Sequence, residues 1–230
     1  MNEKPILFNA EMVNAILSGR KTQTRRIMRD QPEVIPPEDE CGVPGYWIPY
    51  NAGKTMVRNE MMTIACPLGM RGDQLWVRET FALLGNEDGV CVDWQDNMVK
   101  GDEQAAARIY KASCEQKHGD YGLYSIPDSA YWKPNTSNMK YEGSWRPSIH
   151  MPRWASRINL LITGVRVERL NTISTGDAMA EGYPAEREAT GGPLDAWLWF
   201  RELWDGIYPD NTFEVNPWCW VIEFERMEAK

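Results

Sequence analysis

The sequence contains no apolar run of the roughly 20 residues that a membrane-spanning helix requires, and its N-terminus lacks the apolar segment of a secretory signal peptide. These two absences predict a cytoplasmic protein with no membrane partner. The chain also has no GxGxxG motif, no P-loop, no heptad run and no internal repeat. Dinucleotide-binding folds, P-loop nucleotide hydrolases, coiled coils and solenoids are therefore not indicated.

Side chains that bind metals are scarce and scattered. The only histidines are His118 and His150. The five cysteines stand far apart in the chain, without a CxxC pair, at Cys41, Cys66, Cys91, Cys114 and Cys219. Because structural zinc sites take four such ligands at close spacing, we expect no metal and no cofactor. An odd number of dispersed cysteines also gives no sign of a disulfide framework, so we interpret them as free thiols.

The chain has fewer basic than acidic residues. The chain has 25 lysines and arginines against 33 acidic residues, a net charge of −8. A molecule of this charge does not attract DNA or RNA over its whole surface, so any such contact must come from a local basic patch. Tryptophan, by contrast, is abundant at 11 residues, and its indole ring serves both in cores and in stacking on flat ligands.

Length and patterning predict the fold class. The 230 residues, 43% hydrophobic and 25% charged, are enough for one domain with a sizeable core. Patterning predicts strands at about 4–8, 22–29, 74–79, 159–170 and 218–226, and helices at about 10–18, 175–181 and 194–207. We interpret 31–53 as a loop, and 83–143 as an insertion or lid region of a single domain spanning 1–230. Such long connections favour an α+β fold, a mixed and mainly antiparallel β-barrel with peripheral helices, over repeated βαβ units.

Three local signals refine these elements. Gly164 predicts a bulge or a bend within its strand, and the spacing of Ser174 and Asp177 has the form of a capping box that begins a helix. In the helix at 194–207, large apolar residues are predicted to lie on one side. These residues are Leu194, Trp197, Leu198, Trp204 and Ile207.

The stretch from Ile16 to Arg26 combines features that neither a core helix nor an ordinary loop requires. Asn9 is suited to cap a short helix and Gly19 to end it in a left-handed conformation. Five basic residues then occur within ten positions, with two threonines and no acid among them. They are Arg20, Lys21, Arg25, Arg26 and Arg29.

Lys21 and Thr24 are the first candidates for chemistry. A threonine hydroxyl becomes a nucleophile only when a base accepts its proton, and a lysine is such a base only when its pKa is lowered. The neighbouring arginines would lower the pKa of Lys21 through like-charge repulsion. On a regular strand these two side chains would face opposite ways, so the irregular turn after Gly19 would have to bring them together. The alternative is a solvated basic edge without catalytic function.

Glu181 is the second candidate. It ends a short predicted helix, where the helix dipole disfavours a negative charge, so a cationic partner from elsewhere in the chain is expected. Lys21 would be a suitable partner. The alternative is a surface glutamate at a frayed helix end.

Tryptophans and arginines are interleaved between residues 145 and 157, together with His150. This pattern is typical of surfaces that hold phosphates and stack on bases. It also arises when tryptophans lie in a core and arginines extend past them to solvent. Arg78 and Glu79, at the end of a predicted strand, would either point into a pocket or pair with each other.

The segment from Gly19 to Arg26 resembles the signature of the ASCH superfamily, relatives of the RNA-binding PUA domain. That signature reads glycine, any residue, lysine, any two, glutamate, any, arginine. Gly19, Lys21 and Arg26 match it, while Thr24 stands in the place of the glutamate. A threonine there is similar to the branch of N4-acetylcytidine amidohydrolases, whose catalytic set is a lysine, a threonine and a glutamate on a helix after a central strand.

The stretches 72–77, 165–170 and 220–224 also resemble that family, so the resemblance covers about half of the chain. The full length resembles the longer ASCH-type proteins of bacteriophages and prophages. The resemblance implies a PUA-like barrel.

For function, the resemblance implies removal of the N4-acyl group from N4-acetylcytidine or a related nucleoside, without a metal. Lys21 would accept the proton of Thr24, Thr24 would attack the acyl carbon, and Glu181 would orient Lys21 or relay a proton. Backbone N–H groups of the turn after Gly19 would stabilise the oxyanion.

Other side chains are expected to bind the substrate, a small-molecule nucleoside or RNA. They are Arg20, Arg26, Trp76, Arg78, Glu79, Trp145, Arg153 and Trp154. The alternative function is a non-catalytic module that binds RNA or a modified base, and an RNA-cleaving activity is a third hypothesis.

Overall fold

The computed structural model of the protein describes residues 2–36, 38, 44–50, 53–84, 90–95, 97–114 and 145–228. Much of the predicted insertion at 83–143 lies outside the described residues, and its role as a lid stays a prediction. The chain divides into two compact units. The first consists of Met1–Lys4, Ala15–Leu75 and Leu160–Met227, and the second of Pro5–Asn14, Trp76–Asn159 and Glu228–Lys230. The single domain expected over 1–230 also stays a prediction.

Ten strands and six α-helices are present among the described residues. The strands are β1 (Glu3–Leu7), β2 (Gln23–Ile27), β3 (Glu33–Ile35), β4 (Gly45–Tyr50), β5 (Gly53–Arg58), β6 (Gln74–Arg78), β7 (Phe81–Leu83), β8 (Arg108–Tyr110), β9 (Asn159–Arg169) and β10 (Trp218–Arg226). The helices are α1 (Ala10–Leu17), α2 (Asn59–Met62), α3 (Lys111–Cys114), α4 (Thr175–Ala180), α5 (Ala185–Glu188) and α6 (Asp195–Ile207). Single 3₁₀ turns occur at Thr63–Ala65, Ser148–His150, Arg153–Ala155 and Leu170–Thr172.

The strands form three sheets. The largest has the order β1-β6-β9-β10-β2, and the others are β3-β4-β5 and β7-β8. β10 pairs antiparallel with both β9 and β2, and the two smaller sheets are also antiparallel. The α+β class with mainly antiparallel pairing is therefore confirmed. The described strands do not close into a barrel, so the barrel is not confirmed.

Local signals around α1 and β9 are correct. The Met12 amide donates to the side chain of Asn9 at 2.8 Å, which caps α1, and Gly19 has a φ of +77° just beyond the helix. In β9, the register with β10 shifts between Glu223, which faces Gly164, and Phe224, which faces Ile162. This irregularity is the bulge that Gly164 predicts.

The loop expected at 31–53 is wrong. β3 and β4 lie within this range, and β5 begins at its end and pairs with β4 over six residues, from Gly45 with Arg58 to Tyr50 with Gly53. The segment Tyr46-Trp47-Ile48 has the aromatic and β-branched residues that strands favour, and these outweigh the prolines and glycines around them. β7 at Phe81–Leu83 was also not predicted.

The apolar side predicted for α6 coincides only in part with the side that is buried, and Trp204 belongs to both. The helix buries Ala196, Phe200 and Trp204, which are spaced at i, i+4 and i+8, whereas Leu194, just before the helix, and Leu198 are 64% and 45% exposed. Apolar residues occur all around this helix, so their count does not define a single face. The buried side packs into the core of the first unit, with Leu170, Ala178 and Cys219 among the other members.

Among the described residues of the second unit are two small buried apolar clusters. One comprises Ala82, Leu84, Val92, Ala107 and Ile109, with Trp145 packed against it. The other comprises Phe81, Met151 and Ala155, with Leu83, Tyr110 and Trp154 packed against it. The strand pair β7–β8 supplies members of both clusters.

Candidate active site around Lys21 and Glu181

The backbone brings Lys21 and Glu181 together. The Lys21 amide donates to the carbonyl of Ala15 at the end of α1, and Lys21 forms an isolated antiparallel bridge with Glu181. Glu181 follows the last residue of α4, and Gly182 then turns the chain with a φ of +105°. Paired residues of an antiparallel bridge point their side chains to the same side, so the two side chains are placed next to each other.

Glu181 holds the Lys21 amine in two ways. Its Nζ atom donates to the Oε2 atom of Glu181 at 2.8 Å and to the backbone carbonyl of Glu181 at 2.7 Å. The side chain of Lys21 is 0% exposed and that of Glu181 is 4% exposed. The cationic partner that the helix dipole predicts for Glu181 is therefore Lys21.

The surroundings of Lys21 lower its pKa from the ordinary value of 10.5. Burial is the largest cause, because it penalises the charged ammonium. The charge and hydrogen bond of Glu181 act in the opposite direction, while the positive charges of Arg26 and Arg25 lower the pKa further. A lysine in this environment is suited to accept a proton.

Arg20 holds the next two carbonyls after Glu181. Its Nη1 atom donates to the carbonyl oxygens of Gly182 at 3.2 Å and Tyr183 at 2.8 Å. Three successive carbonyls at the C-terminal end of α4 thus accept hydrogen bonds from cationic side chains, as the helix dipole favours. Arg20 was expected to bind substrate, and the structure shows its guanidinium bound to these backbone carbonyls.

Arg25 is the second cation of the site, and sequence reasoning did not assign it a role of its own. Its side chain is 0% exposed, and its guanidinium lies 3.3 Å from Oε1 of Glu181, 3.2 Å from Glu168 and 3.5 Å from Asp177. The guanidinium carbon also lies 5.9 Å from the ring centre of Phe200 on α6. Each carboxylate oxygen of Glu181 therefore contacts a different cation.

Further ion pairs surround this core. Arg166 on β9 contacts Glu168 at 2.5 Å, Asp177 at 2.9 Å and also Glu223. Burial alone would raise the pKa of Asp177, but hydrogen bonding by Ser174 and the charges of the arginines hold this pKa below its usual value. The signal for Asp177 was available in the sequence, because it precedes Glu181 by four residues and so lies on the same side of α4.

Thr24 lies on β2 and is 2% exposed. It pairs with Ile222, whereas its neighbour Arg25 pairs with Val221. Because successive side chains on a strand point to opposite faces, Thr24 faces away from the side on which Arg25 meets Glu181. Within the described part of the chain, the Thr24 hydroxyl makes no hydrogen bond, and its assignment as nucleophile stays a prediction.

Most backbone donors of the turn after Gly19 are already used. The amides of Gly19, Lys21 and Thr22 donate to the carbonyls of Ile16, Ala15 and Ala180 at 3.0, 3.0 and 2.9 Å. These three groups cannot also serve an oxyanion without losing their present partners. The expectation that backbone N–H groups of this turn stabilise the oxyanion stays a prediction.

The expected substrate-binding residues of 76–79 and 145–154 belong to the second unit, where arginines cover the aromatic rings. The guanidinium carbons of Arg78 and Arg153 lie 5.4 and 5.8 Å from the ring centre of Trp76. That of Arg108 lies 5.2 Å from the ring centre of Trp154. These rings already have cationic partners, which favours the structural interpretation of the pattern.

The remaining expected substrate-binding residues have different surroundings. Glu79 is 2% exposed and accepts both hydrogen bonds of the Arg157 guanidinium, at 2.8 and 2.9 Å. Trp145 packs against one of the apolar clusters of the second unit. Arg26 is half-buried on β2, opposite Trp220. Their roles toward substrate stay predictions.

The described residues contain neither a metal-binding cluster nor a membrane-spanning helix. No group of three or more histidine, cysteine, aspartate or glutamate side chains in this part of the chain is arranged to hold a metal ion. Nor does any of its helices combine the length and apolar character needed to span a membrane.

No protein-family model, curated protein or solved structure matches this chain. The ASCH resemblance therefore stays a hypothesis that rests on the residues quoted for it.

Proposed function

We propose that this protein is an amidohydrolase that removes the N4-acyl group from N4-acetylcytidine or a related acylated cytosine nucleoside. One observation carries the proposal. A fully buried lysine of lowered pKa contacts the carboxylate of Glu181, which is 160 residues away in the chain. Such an amine is suited to general-base chemistry on a neighbouring hydroxyl. The resemblance to the ASCH superfamily and a PUA-like fold are part of the same proposal.

In the proposed reaction, neutral Lys21 accepts the proton of the Thr24 hydroxyl while Oγ1 bonds to the acyl carbon. The tetrahedral intermediate collapses with cleavage of the bond from carbon to N4, and the Lys21 ammonium returns its proton to the departing amine. Cytidine leaves, and Thr24 carries an acyl ester. Water then attacks that ester, with Lys21 accepting and returning a proton, and releases the carboxylic acid. Glu181 orients the Lys21 amine throughout.

This mechanism requires the Thr24 hydroxyl to come within hydrogen-bond distance of Lys21 when the substrate is bound. Because Thr24 lies on the face of β2 opposite to Arg25, the Thr24 side chain and the turn after Gly19 would have to rearrange when the substrate binds. The oxyanion would be stabilised by a donor other than the amides of Gly19, Lys21 and Thr22, since those are already used.

A non-catalytic module that binds RNA or a modified base is the second candidate. The observation that favours it is that the Thr24 hydroxyl makes no hydrogen bond to Lys21 among the described residues. In that case the buried ion pairs would be structural, and a local basic surface would contact phosphates. Such binding would weaken steeply with salt, since each neutralised phosphate releases a counterion.

The deciding experiment follows the ultraviolet change from N4-acetylcytidine to cytidine with the purified protein. Thr24→Val removes the hydroxyl while keeping the shape of the side chain, and we expect it to lower turnover by at least about 100-fold. Thr24→Ser should retain activity. Rapid acid quenching of the parent should trap an acyl adduct on the peptide that contains Thr24.

The matched control uses the exposed ion pair between Lys54 and Glu33. Lys54→Met should leave turnover unchanged, whereas Lys21→Met should abolish it. Circular dichroism and the thermal midpoint must show that each variant is folded. Absence of turnover in the parent, or full turnover in Thr24→Val, would reject the hydrolase; salt-sensitive RNA binding without turnover would support the second candidate.

A further inference from the structure

The Glu181 carboxylate is shared by two cations of different chemical character. Its Oε2 atom accepts from the Lys21 amine at 2.8 Å, and its Oε1 atom accepts from the Arg25 guanidinium at 3.3 Å. An ammonium can release its proton, but a guanidinium remains charged at any ordinary pH. When Lys21 becomes neutral, Arg25 is therefore the cation that still balances Glu181.

Arg25 is itself fixed in place from three sides. Glu168 on β9, Asp177 on α4 and Glu181 after α4 each lie within 3.5 Å of its guanidinium. The ring of Phe200 on α6 closes a further side. A buried arginine held in this way cannot follow Glu181 if that carboxylate moves, so it restricts where the carboxylate can lie.

We propose that Arg25 is a positioning residue of this site, which holds the Glu181 carboxylate and supplies the positive charge that this carboxylate needs when Lys21 is neutral. This role deepens the proposed function. It rests on that function in one respect only, namely that the proposed reaction requires Lys21 to be neutral. The pairing of Arg25 with Glu181 itself does not depend on any reaction.

The charged groups around both cations define what a substitution would change. Lys21 is faced by Glu181, Arg25 and Arg26. Arg25 is faced by Glu168, Asp177 and Glu181, with the Cys219 thiol of β10 close enough to feel its charge. Among the described residues, removing the Arg25 charge leaves Lys21 as the cation in contact with Glu181, which favours the ammonium form.

The test measures the protonation of Lys21 directly, by NMR of protein labelled with 13C at the lysine ε position. Lys21→Arg identifies the signal by its loss. In Arg25→Gln we expect the pKa of Lys21 to rise by about one unit, a tenfold change in the proton-binding constant. A purely structural role of Arg25 would lower stability without moving this titration.

Arg166→Gln is the matched control. It removes another arginine of the same network, whose ion pairs are with Glu168, Asp177 and Glu223. We expect it to shift the Lys21 titration much less than Arg25→Gln does. Should Arg25→Gln fail to fold, Arg25→Lys serves instead, because its shorter reach loosens Glu181 while a positive charge is kept, and a smaller upward shift is expected.

The outcomes separate this inference from the proposed function. A Lys21 titration that is the same in the parent and in the folded Arg25 variants would overturn the inference. If the titration shifts but the parent does not hydrolyse N4-acetylcytidine, Arg25 has the role assigned here and the proposed function fails. If both hold, the pH-rate profile of Arg25→Gln should move to higher pH, with activity recovered in alkaline buffer.

Discussion

The buried pair of Lys21 and Glu181 should show a large energetic coupling in a double-mutant cycle. Lys21→Met keeps an unbranched side chain of similar length but leaves Oε2 of Glu181 without its donor. Breaking a buried ion pair on one side costs about 3–5 kcal/mol. Since Arg25 still contacts the other oxygen at 3.3 Å, we expect a cost near the lower end, about 3 kcal/mol.

Glu181→Gln should cost less. The Lys21 amine keeps the backbone carbonyl of residue 181 as an acceptor at 2.7 Å, and it can release its proton instead of remaining as a buried charge. We expect about 2 kcal/mol. Independent effects would then total about 5 kcal/mol in the double variant, whereas we expect about 3 kcal/mol, a coupling of about 2 kcal/mol.

The assay is urea unfolding at pH 7, followed by circular dichroism and tryptophan fluorescence. Agreement between the two probes is needed before a free energy of unfolding is quoted. The same cycle on the exposed pair Lys54 and Glu33 should give a coupling between zero and about 1 kcal/mol. Equal couplings for the buried and the exposed pair would refute the reasoning.

The pH dependence of stability provides an independent test of the lowered pKa of Lys21. The pKa of Lys21 in the folded protein lies below its unfolded value of 10.5, so between these two values the unfolded chain binds more protons. The stability contributed by Lys21 therefore rises with pH across that window. The cost of Lys21→Met should be larger at pH 9.5 than at pH 7, and a smaller cost at pH 9.5 would contradict the lowered pKa.

Three further predictions concern neighbouring features. Gly182→Ala should lower the thermal midpoint more than Gly72→Ala does. Both glycines have a positive φ, but an added Cβ at Gly182 would lie 2.9 Å from another side chain, whereas at Gly72 it would meet open space. Burial raises the pKa of Cys219 to about 12, so iodoacetamide at pH 8 should label Cys219 only after unfolding. Cys91 is partly exposed and should be labelled in the native protein; peptide mass spectrometry distinguishes the two sites. Asp177→Asn should lower the free energy of unfolding at pH 7, and by progressively less as the pH falls below about 4. The pKa of Asp177 is lower in the folded state than in the unfolded chain, so the stability that its carboxylate contributes is lost as the pH falls.

The sequence predicts those elements whose signals are local. The N-cap Asn9, the left-handed Gly19 and the capping pair Ser174 and Asp177 each act within four residues, and the structure contains all of them. The bulge at Gly164 also depends on one residue type. These features follow from backbone sterics and short-range hydrogen bonds, which do not require knowledge of the rest of the fold.

The errors occur where tertiary packing decides. Exposed Leu198 and buried Ala196 lie on the same helix, and hydrophobicity alone ranks them in the wrong order. Small Ala196 allows close approach of α6 to its neighbours, which a residue scale does not record. In β4 the pairing partner, β5, supplies the stability that a reading of prolines and glycines in isolation does not anticipate.

The candidate site shows the same division. The pairing of Lys21 with Glu181 was expected because a carboxylate at a helix C-terminus needs a cation. The role of Arg25 was not, because its three acidic partners come from β9, α4 and the residue after α4, and no spacing rule connects Arg25 with them. Only the antiparallel register of β2, β10 and β9 brings Arg25 and Arg166 onto one face, opposite each other across Val221.

Backbone pairing, more than the reach of a long side chain, sets the contact between amine and carboxylate. β2 is an edge strand of its sheet, and residues 180 and 181 extend that edge, since the Thr22 amide donates to the Ala180 carbonyl at 2.9 Å and Lys21 bridges Glu181. Exchanging the Lys21 side chain leaves these backbone bonds in place. A loss of function in Lys21→Met with the bridge intact would therefore be a property of the amine, which is what a catalytic role requires.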